Sequence, residues 1–196
     1  MLKMTIAYVH LLATCMALGS IFIADWRLLR GREFALRPGA LARLASTQRL
    51  VNVSLAALWL TGAALIWIGY AQNPDTYLGN QKLWAKISVV AVLTLNGVFL
   101  HRFAFPSLQR GLSLSTLSNL RCTLHAILGG ISLASWLFAA WLGMARPWNN
   151  TVAYGDVMAL YFALLGLAIL GTRTMLGGGI FCKARVDAQR VQPAEK

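Results

Sequence analysis

Five apolar stretches, at 4–26, 50–70, 85–105, 122–143 and 157–175, make up more than half of this chain. A helix rises about 1.5 Å per residue, so about 20 apolar residues cross a hydrocarbon core of about 30 Å. Each stretch has that length. Lipid offers the backbone no hydrogen bonds, so each must satisfy its own as a helix. The sequence therefore predicts an all-α integral membrane bundle of five transmembrane helices. Residues 1–182 read as one domain and 183–196 as a polar tail. The first stretch is too long for a signal-peptide core, and no small-residue cleavage site follows it, so it reads as a retained helix.

The basic residues set the orientation. Of 18 Lys and Arg, 14 lie between helices 1 and 2, at or between the ends of helices 3 and 4, or at the close of helix 5 and beyond it. The other face keeps only Lys3, Lys82, Lys86 and Arg146. The positive-inside rule then places the N-terminus outside and the C-terminus in the cytoplasm of a bacterial inner membrane. Anionic lipid headgroups are the expected partners of the arginine-rich face. A net charge of +12 spread in this way does not point to nucleic acid. Trp67, Tyr70, Trp84, Trp141 and Trp148 gather at the outer interface, as amphipathic rings do. Trp59 and Trp136 lie deeper and need a packing or hydrogen-bonding partner.

Between helices 1 and 2, residues 39–45 follow Pro38 and place Leu41 and Leu44 three apart. They read either as an amphipathic surface helix on the inner leaflet or as a solvated basic loop. Gln72-Asn73-Pro74-Asp75 is a turn signal, Pro106 ends helix 3, Ser113 or Ser115 caps an early start of helix 4, and Gly177–Gly179 ends helix 5. Cys15, Cys122 and Cys182 show no C-x-x-C pair and imply neither a disulfide framework nor zinc. No Walker motif, G-x-G-x-x-G, H-E-x-x-H or nucleophile elbow is present, so a hydrolase or a nucleotide-driven pump has no support.

Function is to be sought among ionisable and polar groups inside the membrane, where they are costly. All three histidines, His10, His101 and His125, fall in the apolar spans, with Asp25, Lys86 and Asn96. At about 100° per residue, Lys86, Thr94, Gly97 and His101 share one arc of helix 3. His10, Ala17 and Asp25 share one on helix 1, and His125, Gly129 and Ser132 one on helix 4. Such stripes face a bundle interior. Depth sets His101 level with His125 and puts His10 at the opposite end, closer to Lys86. Each group also has a plainer role. Asp25 sits at the interface beside Arg27 and Arg30, Lys86 snorkels, His101 is interfacial, and His125 packs. Asn96 hydrogen-bonds across helices.

Neutral imidazole on facing helices is a common axial ligand of haem iron. Gly97, Gly129 and Gly130 supply small residues for a flat ring, and Lys or Arg pair with propionates. A copper site would want His with Met or Cys, but Cys15 and Met16 point away from His10.

Three segments carry a resemblance. They are Tyr8-Val-His10-Leu-Leu-Ala, Thr47-Gln-Arg49-Leu where helix 2 begins, and Leu83-Trp84-Ala85-Lys86-Ile where helix 3 opens. Over about the first 105 residues the chain resembles the superfamily of small bacterial membrane proteins that holds the HemJ-type protoporphyrinogen oxidases and the CopD-type copper-resistance domains. The resemblance implies haem b in the helix bundle and carries the roles of an early histidine, an arginine and a lysine to His10, Arg49 and Lys86. The family's histidine-bearing stretch after the lysine is here Leu95-Asn96-Gly97, with His101 later. The leading expectation is a haem-b-binding membrane protein with a redox or electron-transfer role, an oxidoreductase if an enzyme. Iron would be held by His10, or by His101 and His125. Its partner would be a membrane redox protein or a quinone, or a second copy of the chain. A small-solute, metal-ion or proton carrier or channel is the alternative, and an accessory subunit of a larger membrane complex is the third.

Overall fold

A computed structural model describes residues 1–30, 38–104, 106 and 119–176. The serine-rich start expected at Ser113 or Ser115, the glycine run at 177–179 and the 183–196 tail lie outside these residues. The protein is an all-α membrane bundle, and among the described residues five helices are long and apolar enough to cross a bilayer. They are α1 (Leu2–Arg30), α2 (Pro38–Gln72), α4 (Gln81–Phe99), α5 (Asn119–Met144) and α6 (Tyr154–Leu176), with a short α3 (Pro74–Leu78) between α2 and α4.

α2 corrects the sequence reading. It begins at Pro38 and not near residue 50, so the segment after Pro38 is neither a separate surface helix nor a loop. Pro at the first helical turn costs no hydrogen bond, and Ala-Leu-Ala-Arg-Leu-Ala are strong helix formers that simply continue into the span. At 35 residues the helix reaches about 52 Å, well beyond a hydrocarbon core of about 30 Å. Arg43 and Arg49 ride on this extension.

The turn signal at Asn73-Pro74 holds, with a short helix after it. Pro74 opens α3, which folds back over the end of α2. The Tyr77 ring lies on Gly69 so closely that a Cβ there would sit 2.1 Å from it. Tyr77 donates its hydroxyl to the Leu65 carbonyl at 3.3 Å. Only glycine admits this approach, and burial raises the Tyr77 phenol above its ordinary pKa.

The helices divide into two units. α1 packs along α2 as an antiparallel pair. α4, α5 and α6 form the second unit around Ala85, Val89, Phe138, Leu142, Val157 and Tyr161. Gly130 meets the backbone of Ile169, where a Cβ would come within 2.7 Å. Its small size serves close helix packing, not the open surface for a flat ring that the sequence suggested. Above and below it, Thr172 donates to the Ala126 carbonyl at 2.7 Å and Ser135 pairs with the Tyr161 hydroxyl at 2.8 Å. Asn96 is buried and donates to the Leu128 carbonyl across α4 and α5 at 3.1 Å, as expected. Lys82 reaches the Ala145 carbonyl at 2.5 Å and Asn149 Oδ1 at 3.1 Å, which ties α4 to the end of α5. A smaller core of Ala13, Ala17, Ile21, Leu58, Leu93 and Trp136 joins the two units. The seam between α1/α2 and α4/α5 is more sparsely packed than either unit.

Candidate functional site

His10, Lys86, Thr94 and His101, among the polar groups singled out in the sequence, lie along that seam. At one end stand His10, Thr61 and Lys86. His10 Nδ1 and Thr61 Oγ1 are 2.7 Å apart. Thr61 also lies 2.6 Å from the Ala57 carbonyl of its own helix. A hydroxyl carries one proton, and a carbonyl can only accept. The Thr61 proton therefore goes to Ala57, and His10 Nδ1–H must donate to Thr61. This fixes the neutral tautomer. Nε2 is left with a bare lone pair, the form that ligates a metal or accepts a proton.

The imidazole is held from the α2 side. A Cβ on Gly62 would lie 3.7 Å from His10 Cε1, in ordinary contact. Lys86, on α4, is within electrostatic range of His10 and of Lys82. Its Nζ lies 3.8 Å from the Cβ position of Gly143 on α5. Lys82 is satisfied by a carbonyl and an amide, whereas Lys86 has no hydrogen-bond or ionic partner among the described residues. A half-buried ammonium in that state favours an anionic group beside it.

Two bridges cross the seam farther along. Trp59 Nε1 donates to Thr94 Oγ1 at 3.1 Å, which supplies the partner that the deep Trp59 required. Thr94 in turn donates to the Val90 carbonyl at 2.8 Å. At the arginine-rich end, Gln48 hydrogen-bonds His101 Nδ1. His101 stands in a turn of π-helix, Leu100–Ala104; such turns are frequent at functional sites. Between the bridges is a window of about 320 Å³, lined by Asn52, Leu55, Ala56, Gly97 and Val98 with Trp59, Thr94 and His101 at its ends. A second hollow of about 290 Å³, between α5 and α6, has an apolar lining that includes Leu133, Phe138, Trp141 and Leu164. It has no convergent polar groups and is not a candidate site.

The expected site residues separate into two ends. His10 and Lys86 come together. Arg49 does not join them, because it lies twelve residues from Thr61, about 18 Å along α2. It faces outward beside Gln48. His101 is about 22 Å along α4 from Lys86, so His10 and His101 cannot share one ligand. The Asn96–Leu128 bond sets the register of α4 on α5 and keeps His101 and His125 at similar depth. Asp25 makes no ion pair with Arg27 or Arg30 among the described residues. Arg30 instead stacks over Trp26, 4.7 Å from the ring centroid. Gly97 has open space where a Cβ would stand, and so does Gly129.

Thr61 and Gln48 were not singled out by sequence. Thr61 lies one residue before Gly62 in an apolar helix, where a threonine commonly bonds its own backbone. Its second role needs the register of α1 on α2. Gln48 sits inside the basic segment and became a seam residue only because α2 runs through that segment unbroken.

Among the described residues there is no cluster of three or more His, Cys, Asp or Glu fit to hold a metal ion by itself. Comparison with protein-family models, with curated proteins and with solved structures finds no match for this chain.

Proposed function

We propose that this is a haem-b-binding protein of the bacterial inner membrane with a redox or electron-transfer role, and that His10 would hold its iron. One observation carries the reading: the His10–Thr61–Ala57 chain leaves Nε2 of a half-buried imidazole as a free lone pair near Lys86, which has no hydrogen-bond or ionic partner among the described residues. The donor set fits the cofactor. A neutral imidazole with its other nitrogen held by an oxygen is the usual form of a ligating histidine. An ammonium beside it suits a propionate. When bound, haem would supply one-electron chemistry. The protein's part is to fix the imidazole through Thr61, to hold an anionic edge with Lys86 and to exclude water with the helix pair α1/α2. The resemblance to the HemJ and CopD superfamily in the segments around His10 and Lys86 points the same way. Arg49 belongs to the other end of the seam and has no part in this site.

The test is the absorption spectrum of protein purified from haem-replete cells. A Soret band and sharp reduced bands are expected. Their absence contradicts the reading.

A carrier or channel is the second reading. It is favoured by polar side chains standing at three heights of the seam: His10–Thr61, Trp59–Thr94 and Gln48–His101. Protein in sealed vesicles that moves protons or a metal ion and binds no haem would support it.

A further inference from the structure

The window between α2 and α4 has a chemistry that the His10 site does not use. Its walls, Leu55, Ala56, Gly97 and Val98, are apolar. Gly97 has nothing within 4 Å of its Cβ position, so the hollow reaches the α4 backbone. Asn52 lines it and has no hydrogen-bond partner among the described residues. An amide at membrane depth without a partner is costly. Beyond Asn52, the Gln48–His101 bond clamps α2 to α4. Arg49 stands three residues before Asn52 on α2, and Arg102 four residues after Val98 on the continuation of α4, so helical spacing sets two arginines on the window's side at the level of the clamp. Both face outward, and neither has a partner among the described residues. Asp25, the acidic residue at that end of α1, pairs with neither. Arg30 is occupied elsewhere, over Trp26, and Arg43 lies six residues before Arg49 on α2, about 9 Å farther from the window.

We infer that the α2–α4 window is a binding site for one acidic phospholipid, with its phosphate on Arg49 and Arg102, its ester region at Asn52 and an acyl chain along Gly97. The level of the groups matches such a molecule. Asn52 lies three residues from Arg49, about 4.5 Å farther into the membrane. The Trp59–Thr94 bond closes the far end. Arginine forks suit phosphate oxygens, and an anionic headgroup is the charge complement of this face. The site is separate from that of His10 and stands whether or not haem is bound.

Native mass spectrometry of the delipidated full chain tests it, with phosphatidylglycerol, phosphatidylcholine of the same chains and inorganic phosphate as probes. One phosphatidylglycerol is expected to stay bound, about tenfold tighter than phosphatidylcholine. Arg49→Gln and Arg102→Gln should each weaken it by about tenfold, the loss of a charge-assisted hydrogen bond. Arg43→Gln should not. Gly97→Leu should fill the window and weaken both lipids, and Ala56→Leu fills it from α2 should the first variant fold poorly. Inorganic phosphate should not compete at matched concentration. An equal loss in Arg43→Gln would mean general attraction to a basic face. Unchanged binding in both Gly97→Leu and Ala56→Leu, or full competition by inorganic phosphate, would mean that no acyl chain enters. Any of these overturns the inference.

Discussion

His10 on α1 donates through Nδ1 to Thr61 on α2 across 2.7 Å, and Thr61 cannot return the proton because the Ala57 carbonyl holds its own. One threonine thus chooses which nitrogen of the half-buried imidazole is reactive. Thr61→Val keeps the shape and removes the acceptor, so Nδ1–H loses its partner. Such supporting contacts are commonly worth about 10–100-fold in metal affinity or activity. Thr61→Val should lower haem retention by that order, while Thr61→Ser should restore it. Nitrogen NMR of labelled imidazole gives the tautomer independently; a single Nδ1–H form in wild type and a mixture in the valine variant are expected.

Lys86 separates an anchor from a site residue. A snorkelling lysine needs only positive charge at headgroup level, which arginine provides. Arginine's longer planar fork does not fit one fixed geometry as lysine does. Lys86→Arg should insert normally and lose ligand or activity, as should Lys86→Ala. Full retention in the arginine variant would remove Lys86 from the site.

Gly69 and Tyr77 join α3 to α2. A methyl group at 69 displaces the ring and leaves the Leu65 carbonyl without its second donor. Gly69→Ala should destabilise more than Tyr77→Phe, whose lost hydrogen bond is worth about 1 kcal/mol. Because burial raises the Tyr77 phenol, its folded-state pKa lies above the unfolded one. Its contribution is complete below the ordinary tyrosine range and falls away as pH rises through the folded value. Thermal unfolding of the two variants between neutral and alkaline pH checks both points.

Gly130 should tolerate nothing larger. Its Cβ position falls 2.7 Å from Ile169 backbone, and backbone cannot give way as a flexible side chain can. Gly130→Val should separate α5 from α6 and reduce yield. Gly129→Ala, one residue away and facing open space, should be neutral.

Orientation rests on the distribution of Lys and Arg, 14 of 18 on one face. A reporter after Lys196 should be active only in the cytoplasm, and one between Asn73 and Tyr77 only outside. The reverse at both positions would invert the bundle.

Much of this was legible in the sequence because lipid simplifies the rules. Apolar length alone gives the five spans. An amide in mid-span must find a partner, so Asn96 could be assigned to a cross-helix bond without knowing which carbonyl. Trp59 was read in the same way. Pairings that depend on register were not legible. Arg49 and Lys86 both matched a motif, yet nothing local says that α2 runs unbroken and that twelve residues separate Arg49 from the level of His10. Gly97 and Gly130 look alike in sequence; one faces a window and the other a helix backbone. The extension of α2 was missed because basic residues after a proline resemble a loop, although their helix propensity favours continuation.

The central claim is that His10, at the Thr61 end of the seam, is the histidine that holds haem. Reduced absorption spectra of His10→Ala, His101→Ala and His125→Ala, purified side by side with wild type, test it most directly. The account predicts loss of the Soret and visible bands in His10→Ala alone. Retention of haem in His10→Ala with loss in both His101→Ala and His125→Ala, or a wild-type protein without a Soret band, would contradict it.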